Sequence, residues 1–277
     1  MADHTTYGLV CSELSEDLSK TNLGELKLDS FQDNSVQIKI KAASLNFPDL
    51  LMTQGKYQNR PNLPFALGME GAGIVEKVGS GVSSFKEGDE VMFGGWGHGA
   101  IAESIILPEG LVSLKPKSLN FSEAASFKTA YLTAYVGLIR RGELKQGETL
   151  LVHGASGGVG MAAVQMGKLY GAKVIASGTS DEKLKIVKTW GADEIINTGL
   201  EGSVSFREEV KDLTEGKGAD VIYDPVGGDV FDESIRCINW GGRLLIIGFT
   251  SGRIPTVPVN YPPVSYTHLR AHETEAY

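Results

Sequence analysis

Cysteine, clustered basic residues and long apolar runs are all scarce in this sequence of 277 residues. The two cysteines, Cys11 and Cys237, are too few and too far apart for a disulfide framework or a cysteine-rich metal lobe. The formal net charge is −8 and no Lys/Arg cluster occurs, which disfavours nucleic acid and anionic lipid as partners. No apolar run approaches the length of a membrane span, and the N-terminus lacks a signal-peptide pattern. We therefore expect a cytoplasmic protein with no membrane span.

Two textures follow one another along the chain. From Val36 to about Ser113, short β-prone pieces such as "SVQIKIKAAS" and "GAGIVEKVGSGV" alternate with glycines, which predicts a mostly antiparallel β domain. From Phe121 onward, strand-sized apolar runs alternate with amphipathic stretches of helix length, which predicts a parallel sheet covered on both faces. The sequence therefore predicts an α/β protein with a β domain over 1–120 and a doubly wound domain over 121–263.

The stretch "LVHGASGGVG" predicts a dinucleotide-binding turn. It places an A-x-G-x-x-G pattern directly after a predicted strand and before a predicted helix. In this reading Gly157 permits a tight turn, Gly160 lets the helix pack closely, and the pyrophosphate lies on the helix N-terminus. The expected cofactor contacts here are Ala155, Ser156, Gly157, Gly158, Val159 and Gly160. The alternative is that these glycines only end a strand.

The end of the next predicted strand, "KVIAS", bears on the choice between NADPH and NADH. Proteins that bind NAD place an acidic residue there on the ribose 2′-hydroxyl, whereas this chain has Gly178 followed by Ser180 and, nearby, Lys183. Hydroxyl and ammonium donors suit a 2′-phosphate, so NADPH is preferred to NADH. The alternatives are a helix capping box from Thr179 to Glu182, an Asp181 that turns toward the ribose, and a purely solvated lysine.

Several motifs in a fixed order resemble the medium-chain dehydrogenase/reductase superfamily, and its zinc-free NADPH:quinone oxidoreductase branch in particular. They are "AASLNFPDLLMTQGKY", "LPFALGMEGAGIVEKVGSGVSSFKEGDEV", "HGASGGVG" and "DPVGGDVFDESIRCINWGGRLLIIGF". The resemblance implies an N-terminal GroES-like domain, a Rossmann domain behind it and an active site between them. Zinc-dependent relatives have a zinc-binding cysteine where this chain has Asn46 and a histidine where it has Met69. We therefore expect no metal site.

The resemblance implies hydride transfer from NADPH to a quinone or an α,β-unsaturated carbonyl, with the cofactor supplying the chemistry. Asn46 would face the nicotinamide and the substrate, and Tyr57 would donate its O–H to a carbonyl oxygen. The alternatives are that Asn46 caps a turn before Pro48 and that Tyr57 simply packs.

Further residues complete the expected site. Thr133 matches a threonine that contacts the cofactor in the family, although a threonine inside a helix also bonds its own backbone. Asn197, Gly248 and Phe249 are assigned to the cofactor as well. Three other polar residues are expected to be structural rather than catalytic: Asp49, Glu70 and His98.

The last residues continue neither pattern. The stretch "VSYTHLRAHET", Val264 to Thr274, is similar to a translated sequencing adapter, so 264–277 is expected to be a non-native tail on a truncated chain. A genuine polar tail is the alternative. Relatives continue with a further Rossmann strand that pairs across a homodimer, so we expect the Rossmann domain to lack its last strand and to leave an exposed sheet edge.

Two other functions stay open. One is an enoyl reductase that acts on thioesters, and the other is a non-catalytic NADPH-binding protein with the same fold.

Overall fold

The computed structural model describes residues 5–94, 97–199 and 206–257, together with the backbone of 268–271. The chain divides into two compact units, Met1–Thr129 and Ala130–Tyr277. This division falls later than the predicted boundary near Asn120. The reason is that helix α2 (Phe121–Ala125) belongs to the first unit, where Ala124 and Ala125 are buried against Ala72 and Met92.

Two antiparallel sheets form the described part of the first unit. Their strand orders are β2-β1-β4 and β7-β3-β5-β6-β8. The strands are β1 (Thr5–Cys11), β2 (Thr21–Lys27), β3 (Ser35–Ser44), β4 (Phe65–Ala66), β5 (Glu70–Val78), β6 (Glu90–Phe93), β7 (Ser104–Pro108) and β8 (Val112–Leu114). Helix α1 (Phe47–Thr53) and a 3₁₀ turn, Glu109–Leu111, complete the unit with α2. The predicted antiparallel β domain is confirmed.

The alternation of residue types in β3 explains how the larger sheet is held. Val36 and Ile38 are fully buried, whereas Lys39 between β3's inward residues is exposed, as the period of two in a strand requires. The buried pair packs in one cluster with Val75, Val91 and Phe93 of the neighbouring strands. The β-branched residues of "SVQIKIK" therefore place one face of β3 in the core.

A parallel sheet with helices between its strands forms the second unit. Its strand order is β11-β10-β9-β12-β13-β14. The strands are β9 (Thr149–Val152), β10 (Lys173–Gly178), β11 (Glu194–Asn197), β12 (Ala219–Asp224), β13 (Ile238–Ile246) and β14 (His268–Ala271). The helices are α3 (Lys128–Tyr135), which begins at the end of the first unit, a π-helical segment Val136–Arg141, α4 (Gly158–Leu169), α5 (Asp181–Thr189), α6 (Arg207–Leu213) and α7 (Gly228–Ser234).

Both faces of this sheet are buried, which confirms the doubly wound prediction. In β9, Leu150 and Val152 belong to one hydrophobic cluster and Leu151 to another. In β10, Val174 likewise lies in the first cluster and Ile175 in the second. Since successive side chains of a strand point to opposite faces, each strand supplies both layers, and a continuous apolar run is required.

The last strand departs from the sequence-based expectation. The backbone of His268–Ala271 forms β14, which pairs in parallel with β13 from Arg243↔His268 to Ile246↔Ala271. The stretch Arg243–Ile246 is therefore not the exposed edge that we predicted, and part of the presumed tail occupies the sixth strand position. The physical reason is that the open N–H and C=O groups of β13 accept any extended backbone, whatever its side chains. The predicted start of the tail at Val264 lies outside the described residues.

No helix among the described residues combines the length and the apolar character that crossing a bilayer requires.

Candidate functional site

The carboxyl ends of the parallel strands bring most of the predicted cofactor residues to one edge of the sheet. Val152, at the end of β9, pairs with Ala176 of β10 and with Tyr223 of β12, and Gly178 pairs with Asn197 of β11. The segments that follow these strand ends contain the predicted contacts from Ala155 to Lys183. In open parallel sheets this edge is the place where ligands bind.

The glycine-rich turn is held by backbone contacts that leave no room for a side chain at Gly160. Gly154 has φ +54°, and its carbonyl accepts the N–H of Gly157 at 2.9 Å. A Cβ on Gly160 would lie 2.4 Å from the Gly154 oxygen and 2.8 Å from the Ala155 Cα. Gly160 thus lets α4 pack against the turn, as predicted. The left-handed residue of the turn is Gly154, which the sequence analysis did not single out.

The start of α4 is open to an anion. The first N–H groups of α4 have no intrahelical acceptor, and the N-cap residue Gly157 supplies no side chain to cap them. A Cβ on Gly158 would meet no atom within 4 Å, so this part of the turn is also unobstructed in the described chain. Free N–H groups and the positive end of the helix dipole favour a phosphate here. The turn therefore fits the pyrophosphate of a dinucleotide.

The start of α5 differs from the capping alternative that the sequence offered. The N-cap residue is Ser180 and not Thr179, and its hydroxyl accepts the Lys183 N–H at a long 3.4 Å. This bond uses the Ser180 oxygen as an acceptor and leaves the O–H proton free to donate. The exposed Lys183 ammonium forms no ion pair with any residue in the described ranges. Both groups are accordingly available to a phosphate.

Asp181 is engaged by a neighbour. Its Oδ1 accepts the side-chain N–H of Asn197 at 2.6 Å, while the Asn197 Oδ1 accepts the Gly199 N–H at 2.9 Å. Asn197 therefore orders the edge of the site with both ends of its amide. The alternative in which Asp181 turns toward a ribose would require this contact to break.

The loop after β13 folds over the loop after β12. The Asp224 carboxylate accepts the N–H groups of Val226 and Gly227 at 2.8 and 3.0 Å. Gly227 has φ +68°, and a Cβ there would lie 2.8 Å from the Phe249 ring. The predicted residues Gly248 and Phe249 are thereby held at the same edge of the sheet as the glycine-rich turn.

A buried histidine that the sequence analysis missed supports this edge of the sheet through two hydrogen bonds. His153 directly precedes Gly154, and its ring bonds to the Ser177 hydroxyl at 2.6 Å and the Ser234 hydroxyl at 2.8 Å. Since Ser234 donates to the Val230 carbonyl, it accepts from His153 Nε2–H, and Nδ1 accepts from Ser177. Burial lowers the pKa of His153 to about 4. The polar residue within the apolar run "TLLVHG" was the available signal.

Thr133 lies in α3, half-buried, and its hydroxyl makes no hydrogen bond within the described residues. The alternative in which it bonds its own helix backbone is not what the structure has. Its hydroxyl is therefore unengaged, as a ligand contact would require.

Asn46, in the first unit, is held by two buried carboxylates. It is the N-cap residue of α1, and its backbone N–H donates to Asp49 Oδ2 at 2.7 Å. Its side-chain NH₂ donates to Glu70 Oε1 at 2.9 Å. Asp49 and Glu70 are each 1% exposed, and burial raises the pKa of Asp49. Asn46 and Asp49 form a capping box at the start of α1, so the capping alternative holds for the backbone and the side chain of Asn46, whose NH₂ is also held by Glu70 of β5.

Tyr57 packs beside this group. It is half-buried against Cys11, Met52 and Phe65, and its O–H makes no hydrogen bond among the described residues. Burial, assisted by the nearby Asp49 charge, raises the pKa of Tyr57, so the phenol stays protonated at neutral pH. Tyr57 therefore both packs and keeps a free O–H donor.

His98 lies in a bend of the chain. Its ring lies edge-on to Phe65 with the centroids 5.4 Å apart, and burial lowers its pKa.

The residues around Asn46 do not suit zinc. Zinc takes thiolate, imidazole or carboxylate ligands, whereas Asn46 and Met69 offer an amide and a thioether. The carboxylate of Glu70 already accepts N–H groups at both oxygens. Within the described ranges, no group of three or more His, Cys, Asp or Glu residues is placed to hold a metal ion.

Comparisons with known proteins extend over most of the chain. Residues 32–117 match the family described as "Alcohol dehydrogenase GroES-like domain", and residues 158–272 match the family described as "Zinc-binding dehydrogenase". A quinone oxidoreductase-like protein 2 homolog of Nematostella vectensis is 38% identical over 253 residues, which are 91% of this chain and 68% of that protein.

Solved structures agree with the sequence relatives. A quinone oxidoreductase of Pseudomonas syringae matches with a TM-score of 0.89 and 32% identity, covering 97% of this chain and 81% of that one. The quinone oxidoreductase of Escherichia coli in complex with NADPH matches with a TM-score of 0.86 and 30% identity, covering 98% and 81%. The first unit is thus a GroES-like domain and the second a Rossmann-like domain.

Proposed function

This chain belongs to the quinone oxidoreductase branch of the medium-chain dehydrogenase/reductase superfamily, and on that premise we propose that it reduces a quinone or an α,β-unsaturated carbonyl with NADPH and without a metal. The observation that carries this proposal is the pair of residues at the position of the zinc site in zinc-dependent relatives. Asn46 and Met69 offer no zinc ligand there, and the Asn46 amide is fixed by Glu70 instead.

The second unit binds the cofactor in this account. The open N–H groups at the start of α4 hold the pyrophosphate, and Ala155 to Gly160 shape the turn around it. Ser180 and Lys183 hold the 2′-phosphate, because one keeps a free O–H donor and the other an exposed ammonium. The engagement of Asp181 Oδ1 by Asn197 favours NADPH over NADH, since a ribose hydroxyl would have to compete with Asn197 for this carboxylate.

The first unit serves the acceptor. Bound NADPH supplies the hydride, and the acceptor is already electrophilic, so no Lewis acid is required. Tyr57 donates its O–H to the acceptor's carbonyl oxygen, for which its raised pKa keeps the proton in place. The amide of Asn46 supplies a second polar contact. The enolate or quinol anion that forms takes its proton from water.

Steady-state oxidation of NADPH tests the proposal. The full chain, dialysed against a chelator, is assayed with benzoquinone, an enal, an enone and an enoyl thioester in parallel. We expect turnover with benzoquinone or the carbonyl compounds and unchanged rates after chelation. Turnover with the thioester alone would favour the enoyl reductase alternative, and tight NADPH binding without turnover would favour the non-catalytic one.

A matched pair of variants separates the tyrosine's chemistry from its packing. Tyr57→Phe removes the O–H and keeps the ring against Cys11, Met52 and Phe65. The variant Tyr7→Phe makes the same change at an exposed tyrosine of β1 and is the control. We expect the first variant to lower kcat/KM for the acceptor by about tenfold and the second to leave it unchanged.

A further inference from the structure

Glu70 is more than a structural carboxylate of the first unit, because both of its oxygens face donors of different kinds. Oε1 accepts the side-chain NH₂ of Asn46 at 2.9 Å, and Oε2 accepts the backbone N–H of Thr129 at 2.8 Å. The side chain is 1% exposed, so water does not replace either contact. A Cβ on Gly94 would lie 2.7 Å from the Glu70 Cβ, so only a glycine at position 94 lets the backbone approach Glu70 this closely.

The two donors would respond differently if the hydrogen-bond acceptor at position 70 were changed. The Thr129 N–H belongs to the backbone at the start of α3 and cannot be exchanged for an acceptor. The Asn46 amide carries a donor and an acceptor at its two ends and can rotate by half a turn. A carboxylate only accepts, so it obliges Asn46 to present its NH₂ to β5 and to turn its carbonyl oxygen away from Glu70.

The rest of Asn46 is already immobile. Its backbone N–H donates to Asp49 Oδ2, and Asp49 Oδ1 accepts the Gly68 N–H at 3.0 Å. Thr129, Asn46 and Gly68 together surround two buried carboxylates with N–H donors. Burial lowers the pKa of the half-buried Lys128, and the negative charge of nearby Glu70 opposes this fall. In the capping box of α1 the Asn46 side chain also faces the Asp49 N–H, so this N–H and Glu70 favour the same orientation of the amide, with the oxygen toward α1 and the NH₂ toward β5.

We propose that Glu70 is a positioning residue that fixes which end of the Asn46 amide faces the substrate that accepts the hydride. This inference rests on the proposed function for its kinetic consequence, but the orientation itself is a property of the free protein. It predicts that an isosteric amide at position 70 inverts Asn46. The introduced amide oxygen must serve the Thr129 N–H, so its NH₂ faces Asn46, which then presents its own oxygen to β5.

Three variants of the full chain test this. Glu70→Gln changes one oxygen to NH₂ without changing volume. Asn46→Asp alone places a third carboxylate against Glu70, whereas the double variant Asn46→Asp/Glu70→Gln restores a donor facing an acceptor. Glu76→Gln, on the exposed end of the same strand β5, is the control for loss of a charge.

The first readout is the ¹H–¹⁵N spectrum of the free protein, in which the Asn46 side-chain NH₂ is identified by its loss in Asn46→Asp. We expect Glu70→Gln to shift this pair and to speed its exchange with solvent, and Glu76→Gln to leave it unchanged. An unchanged NH₂ pair in folded Glu70→Gln would overturn the proposal, whether or not the chain has activity. If Glu70→Gln gives the spectrum of an unfolded protein, the unfolding temperatures of Asn46→Asp and of the double variant are compared instead. The proposal requires the double variant to have the higher unfolding temperature.

The second readout is kinetic. We expect Glu70→Gln to lower kcat by about tenfold, the size of one lost charge-assisted hydrogen bond, with little change in the Kd for NADPH. Adding Glu70→Gln to Asn46→Asp should raise kcat rather than lower it further. A purely structural Glu70 would lower the unfolding temperature and leave kcat of the folded protein as it was. Absence of turnover in the wild type would count against the proposed function and leave the spectral result to decide the orientation.

Discussion

The buried His153 should make the stability of this protein depend on pH in a way that a single substitution abolishes. Its pKa is lowered from 6.5 to about 4, chiefly by burial, while the charge of Asp224 works in the opposite direction. Below pH 6.5 the unfolded chain binds a proton that the native ring refuses, so stability falls as the pH drops toward 4 and levels off below it. Each unit of difference between the unfolded and native pKa values corresponds to about 1.4 kcal/mol of unfolding free energy.

The magnitude follows from those two pKa values. Between pH 8 and pH 5 the wild type should lose about 2 kcal/mol of unfolding free energy through this one group, and at pH 4 about 3 kcal/mol. Solvent does not screen this effect, since His153 is 1% exposed. His153→Gln keeps donor and acceptor atoms for Ser177 and Ser234 but cannot titrate.

Urea unfolding of both proteins, followed by circular dichroism from pH 8 to pH 4, measures the effect. Carboxylates titrate in the same window, but they do so in both proteins and cancel in the difference. We expect the stability difference between wild type and His153→Gln to move by about 2 kcal/mol in favour of the variant from pH 8 to pH 5. A difference that stays constant with pH would refute the claim that His153 is buried in its neutral form.

Three further predictions concern the second unit. Gly160→Ala should destabilise the protein by about 1–3 kcal/mol, because its Cβ would lie 2.4 Å from the Gly154 oxygen, whereas Gly158→Ala, with nothing within 4 Å, should not; thermal unfolding compares the two. Lys183→Ala should weaken NADPH binding by about tenfold and leave NADH binding unchanged. Lys185→Ala, at an exposed neighbouring position, is the control, and equal losses for both cofactors would contradict a 2′-phosphate contact. Arg243→Lys should cost about 1–3 kcal/mol of stability because it loses the paired bonds to Glu148 at 2.7 and 2.9 Å, which urea unfolding would register.

Local sequence patterns predicted the elements that act over short distances. The glycines of "GASGGVG" predicted the turn because close backbone approach excludes any other residue at Gly160. The unbroken apolar runs predicted a parallel sheet because both faces of each strand are buried. The strand ends then brought Gly178 and Asn197 side by side, since adjacent parallel strands share a register.

Contacts between distant parts of the chain could not be predicted in this way. Asn46 and Glu70 are 24 residues apart and His153 and Ser234 are 81 apart, so no local period connects them. Glu70 was expected to be structural, and nothing in the sequence indicated that it holds the Asn46 amide. Strand β14 was also unexpected, because its position depends on the open backbone of β13 and not on a β-prone side-chain pattern.

The most direct test of the central claim is a single-turnover measurement of NADPH oxidation by benzoquinone, with ordinary NADPH and with NADPH that carries deuterium at both C4 positions. Excess protein removes product release from the observed rate, so the step that breaks the C4–hydrogen bond is seen. We predict rapid oxidation that depends on the quinone and is slower with the deuterated cofactor. Oxidation at the same rate with both cofactors, or none above the rate without protein, would contradict hydride transfer by this chain.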